Sequence, residues 1–149
     1  MKDALPQASY GQGQVVASPF QLARVAAAIA AQGKAPFGRW ITDESNPRVD
    51  AAQQILRPEA AATIAQYMRS VVTGGTGRSL AGSSIAGKTG TAELEKKASH
   101  AWFIGFAPYG GTRKIAFAVL VENGQYGGSA AAPIAGEIVR AATSLGLLQ

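Results

Sequence analysis

Apolar residues recur at helical spacing in three stretches and crowd into short continuous runs in two others. Ser18-Pro19-Phe20-Gln21 reads as a helix start, with Ser18 as N-cap, Pro19 at the first helical position and Gln21 completing a capping box. Phe20, Leu22, Val25, Ala26 and Ile29 continue it as one apolar stripe, and Gly33 is a natural stop. A second helix is predicted from Pro58 to about Thr73, carried by Ile64, Met68 and Val71 or Val72, and ended by Thr73-Gly74-Gly75-Thr76-Gly77. A third is predicted from Pro133 to Ser144, with Ile134, Ile138 and Val139 facing the core. The runs HAWFIGFA (His100 to Ala107) and KIAFAVLVE (Lys114 to Glu122) are the clearest strands, joined by the turn-rich Pro108 to Thr112.

Weaker signals fill the rest. Met1 to Gln14 is polar and Gly-rich and reads as loop. Ala35 to Thr42 reads as a short strand around Trp40 and Ile41, and Asp43 to Asp50 as a polar loop. Ser84 to Ala92 reads as a strand, the charged Glu95 to Ser99 as a connection, and Asn123 to Ser129 as a Gly-rich loop. The order is helix, short strand, helix, three strands, helix. Short links between strands favour antiparallel pairing, so the expected class is α+β, an antiparallel sheet with helices packed on it.

Composition narrows the chemistry. With 149 residues, 47% hydrophobic and 15% charged, the chain can bury a core and is not disordered. The net charge of +5 is spread along the sequence, and Lys96-Lys97 is its only dense cluster, so no nucleic-acid face is expected. There is no Cys, which excludes disulfides, thiolate catalysis and Cys-based zinc sites. One His leaves little for a transition metal, and no metal or cofactor is expected. No apolar run approaches the ~20 residues of a membrane span, and MKDALPQASYGQGQ has no signal-peptide core.

One stretch carries two incompatible motifs. Gly82 to Thr89 (GSSIAGKT) satisfies G-x-x-x-x-G-K-[ST], the phosphate-cradling P-loop. Its end also reads Lys88-Thr89-Gly90, a signature of penicillin-recognising serine enzymes. A P-loop needs a buried strand before it and a helix after it. Here Gly77-Arg78-Ser79-Leu80-Ala81 precedes, and Gly90-Thr91 follows, with no helical stripe before Ser99. The Lys-Thr-Gly reading needs only a strand bordering a cleft. A Lys ammonium beside a nucleophilic serine stabilises developing negative charge. Gly90 admits close approach of a peptide-like ligand, Thr hydroxyls can bind a carboxylate, and a strand-edge N–H can point at an oxyanion.

At this point the chain resembles the C-terminal part of the transpeptidase domain of class B penicillin-binding proteins, which cross-link the bacterial cell wall. The resemblance rests on YGQGQVVASPFQLARVAAAIAAQG (Tyr10 to Gly33), Gly74-Gly75-Thr76-Gly77, AGKTGTAE (Ala86 to Glu93), HAWFIGFAP (His100 to Pro108) and GGSAAAPIAGEIV (Gly127 to Val139), in that order. It implies the penicillin-binding/serine β-lactamase-like fold. It also implies Lys88 as the cleft lysine supporting the serine, and Thr89, Gly90 and Thr91 as the substrate-binding strand. The Thr91 N–H would be an arm of the oxyanion hole. Strand alternation places Thr91 opposite Lys88, so both serve one site only through a twist or a backbone contact. The implied ligands are peptidoglycan stem peptides ending in D-Ala-D-Ala and the β-lactams that mimic them.

The family also needs Ser-x-x-Lys and Ser-x-Asn motifs. Three residues before Lys34, Lys88, Lys96, Lys97 and Lys114 stand Ala31, Ile85, Glu93, Leu94 and Gly111. Two residues before Asn46 and Asn123 stand Glu44 and Val121. Neither motif is present. Residues 1–149 are therefore expected to be a partial transpeptidase domain, without the nucleophile, inactive alone, and exposing apolar surface or dimerising through it. The parent would sit at the extracytoplasmic face of the cytoplasmic membrane, attached through a region outside this sequence. Rival readings are a non-catalytic module, a P-loop nucleotide binder and a serine β-lactamase. His100 is expected to be a hydrogen-bonded structural residue, Trp102, Phe103 and Phe106 core residues, and Glu93 and Glu122 solvated or paired charges. Ser83 and Ser84 lack a lysine at the nucleophile's offset. The Gly74 to Gly77 segment is expected to shape a loop near the cleft.

Overall fold

The computed structural model describes residues 5–13, 15–38 and 51–149. Within them the elements run α1 (Leu5–Ala8), α2 (Pro19–Ala30), β1 (Lys34–Ala35), β2 (Gln53–Gln54), α3 (Pro58–Gly74), a 3-10 turn (Arg78–Leu80), β3 (Ala86–Leu94), β4 (Lys97–Ala107), β5 (Ile115–Val121) and α4 (Gly127–Ser144). The strand and loop expected between residues 39 and 50, including Trp40 and Ile41, lie outside the described residues. The principal sheet is antiparallel with order β3-β4-β5, so β3 is an edge strand among the described residues. The short β1 and β2 form a separate antiparallel pair.

Helix α2 begins as its sequence dictates. Ser18 Oγ accepts from the Gln21 N–H at 3.2 Å and Gln21 Oε1 accepts from the Ser18 N–H at 2.8 Å. Its buried stripe is Ala26, Ala28 and Ile29, while Val25 is exposed. Gly33 closes it at φ +87°, where an added Cβ would also run into the Leu56 carbonyl.

Alternation along the strands divides the core in two. Odd-numbered residues of β4 and β5 (Ala101, Phe103, Ala107, Phe117, Val119) meet Ala131, Ala132, Ala135 and Val139 of α4. Phe103 and Phe117 stack across the strands with centroids 6.3 Å apart. On the opposite face Ala86 and Phe106 meet Ile29 of α2 and Met68 of α3. Helix α3 contributes to both clusters, through Val72 to the first and Met68 to the second. It also pins the entry to β3, since Arg69 Nη1 donates to the Ser83 and Ile85 carbonyls, each at 2.7 Å.

Four expectations are corrected. Leu5–Ala8 is a single helical turn inside the segment read as loop. The connection read over Glu95 to Ser99 shrinks to Glu95-Lys96, with Leu94 paired to Lys97 and Lys96 at φ +59°. The charged residues there belong to exposed strand ends, where polar side chains face water without cost. Helix α4 starts at Gly127 rather than Pro133, and Pro133 lies inside it. Ile134 and Ile138 do not face the core, being 44% and 38% exposed. The buried stripe of α4 is Ala131, Ala132, Ala135, Gly136, Val139 and Ala142, whose small side chains let its backbone lie close to the sheet. Among the described residues no helix is long and apolar enough to cross a membrane.

Candidate active site

Lys88, Thr89, Gly90 and Thr91 all lie within β3, opposite Ile104, Phe103, Trp102 and Ala101 of β4. The P-loop reading fails on this geometry. Lys88 and Thr89 are strand residues, and β3 continues to Leu94 and turns into β4 rather than into a helix. The first turn of α4 lies beside this strand, but it does not continue from the Gly82 to Thr89 segment, so the strand–loop–helix cradle of a P-loop is not formed.

The side chains of Thr89 and Thr91 point to the α4 face of β3. Thr89 pairs with Phe103, which belongs to the α4-side core. Both threonines line a cleft of about 600 Å³ between β3, the segment after α3 and the first turn of α4. Thr76 reaches into the same cleft, with its Oγ1 2.5 Å from Thr89 Oγ1. Arg78, Ser79, Tyr126 and Ser129 complete its polar lining. Thr76 and Arg78 are site residues that motif reading missed. The available signal was a hydroxyl set between glycines directly after a helix end, at Gly75-Thr76-Gly77.

Lys88 is exposed and does not line that cleft. By alternation it shares the other face of β3 with Gly90. Its ammonium nonetheless comes to the strand's edge, where Lys88 Nζ donates to the Thr89 carbonyl at 2.6 Å. Gln12 Nε2 donates to the Thr91 carbonyl at 3.1 Å. These carbonyls therefore face the edge that β4 leaves open. In an antiparallel strand the N–H of the same residue points the same way, so the Thr91 N–H also faces outward. The edge of β3 thus gathers what its two faces separate. A ligand lying along it meets an ammonium from one side, threonine hydroxyls from the other and a backbone N–H in the plane.

Close packing fixes the floor of the cleft. A Cβ on Gly127 would collide with the Trp102 carbonyl and stand 2.7 Å from Gly90 O and 3.1 Å from Gly90 N. A Cβ on Gly128 would meet the Thr76 carbonyl. Ser79 Oγ donates to the Gly128 carbonyl at 3.4 Å. The first turn of α4 is therefore seated on β3 and on the Thr76 segment by close backbone approach, with Ser79 holding the Gly128 carbonyl.

The remaining candidates are structural. His100 Nδ1 accepts from the Asn123 N–H at 3.0 Å, fixing the loop after β5. Ser83 Oγ donates to the Leu80 carbonyl at 2.7 Å and accepts from the Ile85 N–H at 3.3 Å. Ser129 Oγ donates to the Tyr126 carbonyl at 3.2 Å. None of these hydroxyls has an ammonium as hydrogen-bond partner, so the described cleft brings a lysine and threonine hydroxyls to β3 without a serine activated by them.

The model of the penicillin-binding protein transpeptidase domain matches residues 4–140. The chain belongs to this family. It is 38% identical to the peptidoglycan D,D-transpeptidase PbpA of Mycolicibacterium smegmatis, over 93% of its own length and 32% of the relative's. It is 34% identical to stage V sporulation protein D of Bacillus subtilis, over 89% of its length and 23% of the relative's. Among solved structures it is similar to the penicillin G acyl-enzyme complex of penicillin-binding protein A from M. tuberculosis. There the TM-score is 0.78 at 33% identity, covering 96% of this chain and 36% of that one. The chain thus spans about a third or less of these relatives. The α+β architecture with an antiparallel sheet is that of the transpeptidase family.

Proposed function

We propose that these residues form the Lys-Thr-Gly wall of a serine D,D-transpeptidase, with the nucleophile supplied by sequence outside residues 1–149. The observation that carries this reading is the open edge of β3, where the Lys88 ammonium, the threonine hydroxyls and the Thr91 N–H converge. In the complete site the serine Oγ attacks the carbonyl carbon of the penultimate D-Ala. Lys88, beside that serine, offsets the charge that develops and helps move its proton. The Thr91 N–H donates to the oxyanion, where a preorganised donor stabilises the transition state without reorganising. Thr89 and Thr91 hydroxyls hold the terminal carboxylate, and Gly90 admits the peptide backbone. Collapse of the intermediate breaks the peptide bond and releases D-Ala. The amine of a neighbouring stem then takes the acyl group and frees the serine. A β-lactam follows the same first step but keeps its leaving amine attached, and the M. tuberculosis relative forms a penicillin G acyl-enzyme complex.

Exposed Val15, Val16, Ile55 and Tyr67 support a partial domain whose apolar surface is covered by the missing part, or by a second copy when that part is absent. The substrate places the working enzyme at the extracytoplasmic face of the bacterial membrane.

The substrate reading is tested by co-producing this chain with a transpeptidase segment that carries Ser-x-x-Lys and Ser-x-Asn, and timing its acylation by fluorescent penicillin. A D-Ala-D-Ala-ended stem peptide should slow labelling competitively, whereas the same peptide ending in L-Ala-L-Ala should not. Equal effects of the two peptides, or none, would remove the stem-peptide reading.

A further inference from the structure

We propose that Arg78 supplies the charge that anchors the ligand's C-terminal carboxylate in the threonine-lined cleft, so that this chain tells a free carboxylate from its amide. The inference rests on the reading that the cleft takes the end of a D-alanyl peptide, and it assigns the selection to a residue outside the Lys-Thr-Gly strand. Hydroxyls make that selection only weakly. Ser79 Oγ already donates to the Gly128 carbonyl and Thr76 and Thr89 share a hydrogen bond, and a neutral hydroxyl can accept from an amide N–H as well as donate to its carbonyl. A guanidinium only donates, matches a carboxylate with two parallel N–H bonds and has nothing to offer an amide N–H₂.

Arg78 is the one Arg or Lys lining the cleft among the described residues, and no Asp or Glu lines it there. Lys88 lies outside this lining and donates to a carbonyl at the strand edge. Arg69 is committed to the Ser83 and Ile85 carbonyls and Arg140 to Glu137. Arg78 has no side-chain hydrogen bond or ion pair with any described residue, so its guanidinium is available to a ligand. Its root is fixed nevertheless. The Arg78 N–H donates to the Gly75 carbonyl at 3.2 Å, the Ala81 N–H donates to the Arg78 carbonyl at 3.1 Å, and Leu80 of the same 3-10 turn is buried in the core. Arg78 therefore rises from a rigid turn two residues beyond Thr76, on the side of the cleft facing β3.

The test is an ¹⁵N NMR titration of this chain with acetyl-D-Ala-D-Ala and with its C-terminal amide, following the Thr89, Thr91 and Gly128 amides. Wild type should bind the acid about 10-fold more tightly than the amide, the effect of one charge-assisted hydrogen-bonded pair in a partly solvated cleft. Arg78→Gln should bring the acid down to the amide's affinity and leave the amide unchanged, and Arg78→Lys should restore part of the difference. An acid-to-amide ratio that survives Arg78→Gln would overturn the proposal, as would equal weakening of both ligands or no response in wild type. The penicillin labelling above separates the causes. Labelling that persists beside an unchanged ratio removes Arg78's role alone, and loss of both removes the underlying reading.

Discussion

Lys88→Ala should cut the rate of β-lactam acylation of an assembled transpeptidase domain by about 1,000-fold, the scale on which removing one preorganised electrostatic partner acts. The cost to folding should be small. Lys88 is exposed on an edge strand, and among the described residues its side chain's one hydrogen bond is to the neighbouring carbonyl at 2.6 Å. Such a surface group changes stability by about 0.5 kcal/mol or less. The pairing of a large kinetic loss with an unchanged unfolding midpoint is what distinguishes a site lysine from a structural one. Acylation rate constants and urea unfolding of the same preparations measure both. A variant that acylates within a few-fold of wild type would leave Lys88 as an ordinary strand-edge residue. Arg78→Gln differs in kind, because it should spare ligands that carry no carboxylate.

Gly127→Ala should destabilise the chain by about 3 kcal/mol, at the upper end for a methyl forced into packed surroundings. The added Cβ meets the Trp102 carbonyl and both backbone polar atoms of Gly90. Strand backbone cannot rotate aside as a side chain can, so the first turn of α4 must lift off β3. That movement also opens the cleft, because Gly128 and Thr76 are in contact through the same turn. Gly82→Ala is the control, since nothing lies within 4 Å of its Cβ position. Urea unfolding should show the first variant shifted strongly and the second scarcely at all. Equal midpoints would mean that α4 is not seated on the strand as described.

What the sequence disclosed and what it hid follow from range. The α2 start was legible because a capping box is completed within four residues, and Ser18 and Gln21 form it as read. Both long strands after Lys88 were legible because their apolar runs have no polar interruption. The α4 start was hidden because Gly127-Gly128 looks like a loop locally. Only contact with Gly90 and Thr76, distant in sequence, explains why glycine is required at the first turn of a helix. Ile134 and Ile138 misled for a related reason. Size suggested burial, but the close approach of α4 to the sheet is made by Ala131, Ala132 and Ala135.

The site shows the same division. Lys88-Thr89-Gly90 is a local motif, and its order relative to HAWFIGFAP pointed to the family. Alternation correctly separated Lys88 from Thr91, but only the pairing of β3 showed that they meet at a free edge. Thr76 and Arg78 come from a different segment and join the cleft through tertiary packing. Gly75-Thr76-Gly77 marked a loop near the cleft, whereas nothing at Arg78's own position marked it as a cleft residue.

The first measurement to make is intact mass after incubation with excess penicillin, on this chain alone and on this chain assembled with a segment bearing Ser-x-x-Lys and Ser-x-Asn. The expected result is no adduct on residues 1–149 in either sample and one penicillin on the added segment in the second. A stoichiometric adduct on this chain alone would put the nucleophile among its own serines, with Ser83, Ser84 and Ser129 first in line, and would end the view that it contributes only the Lys-Thr-Gly wall.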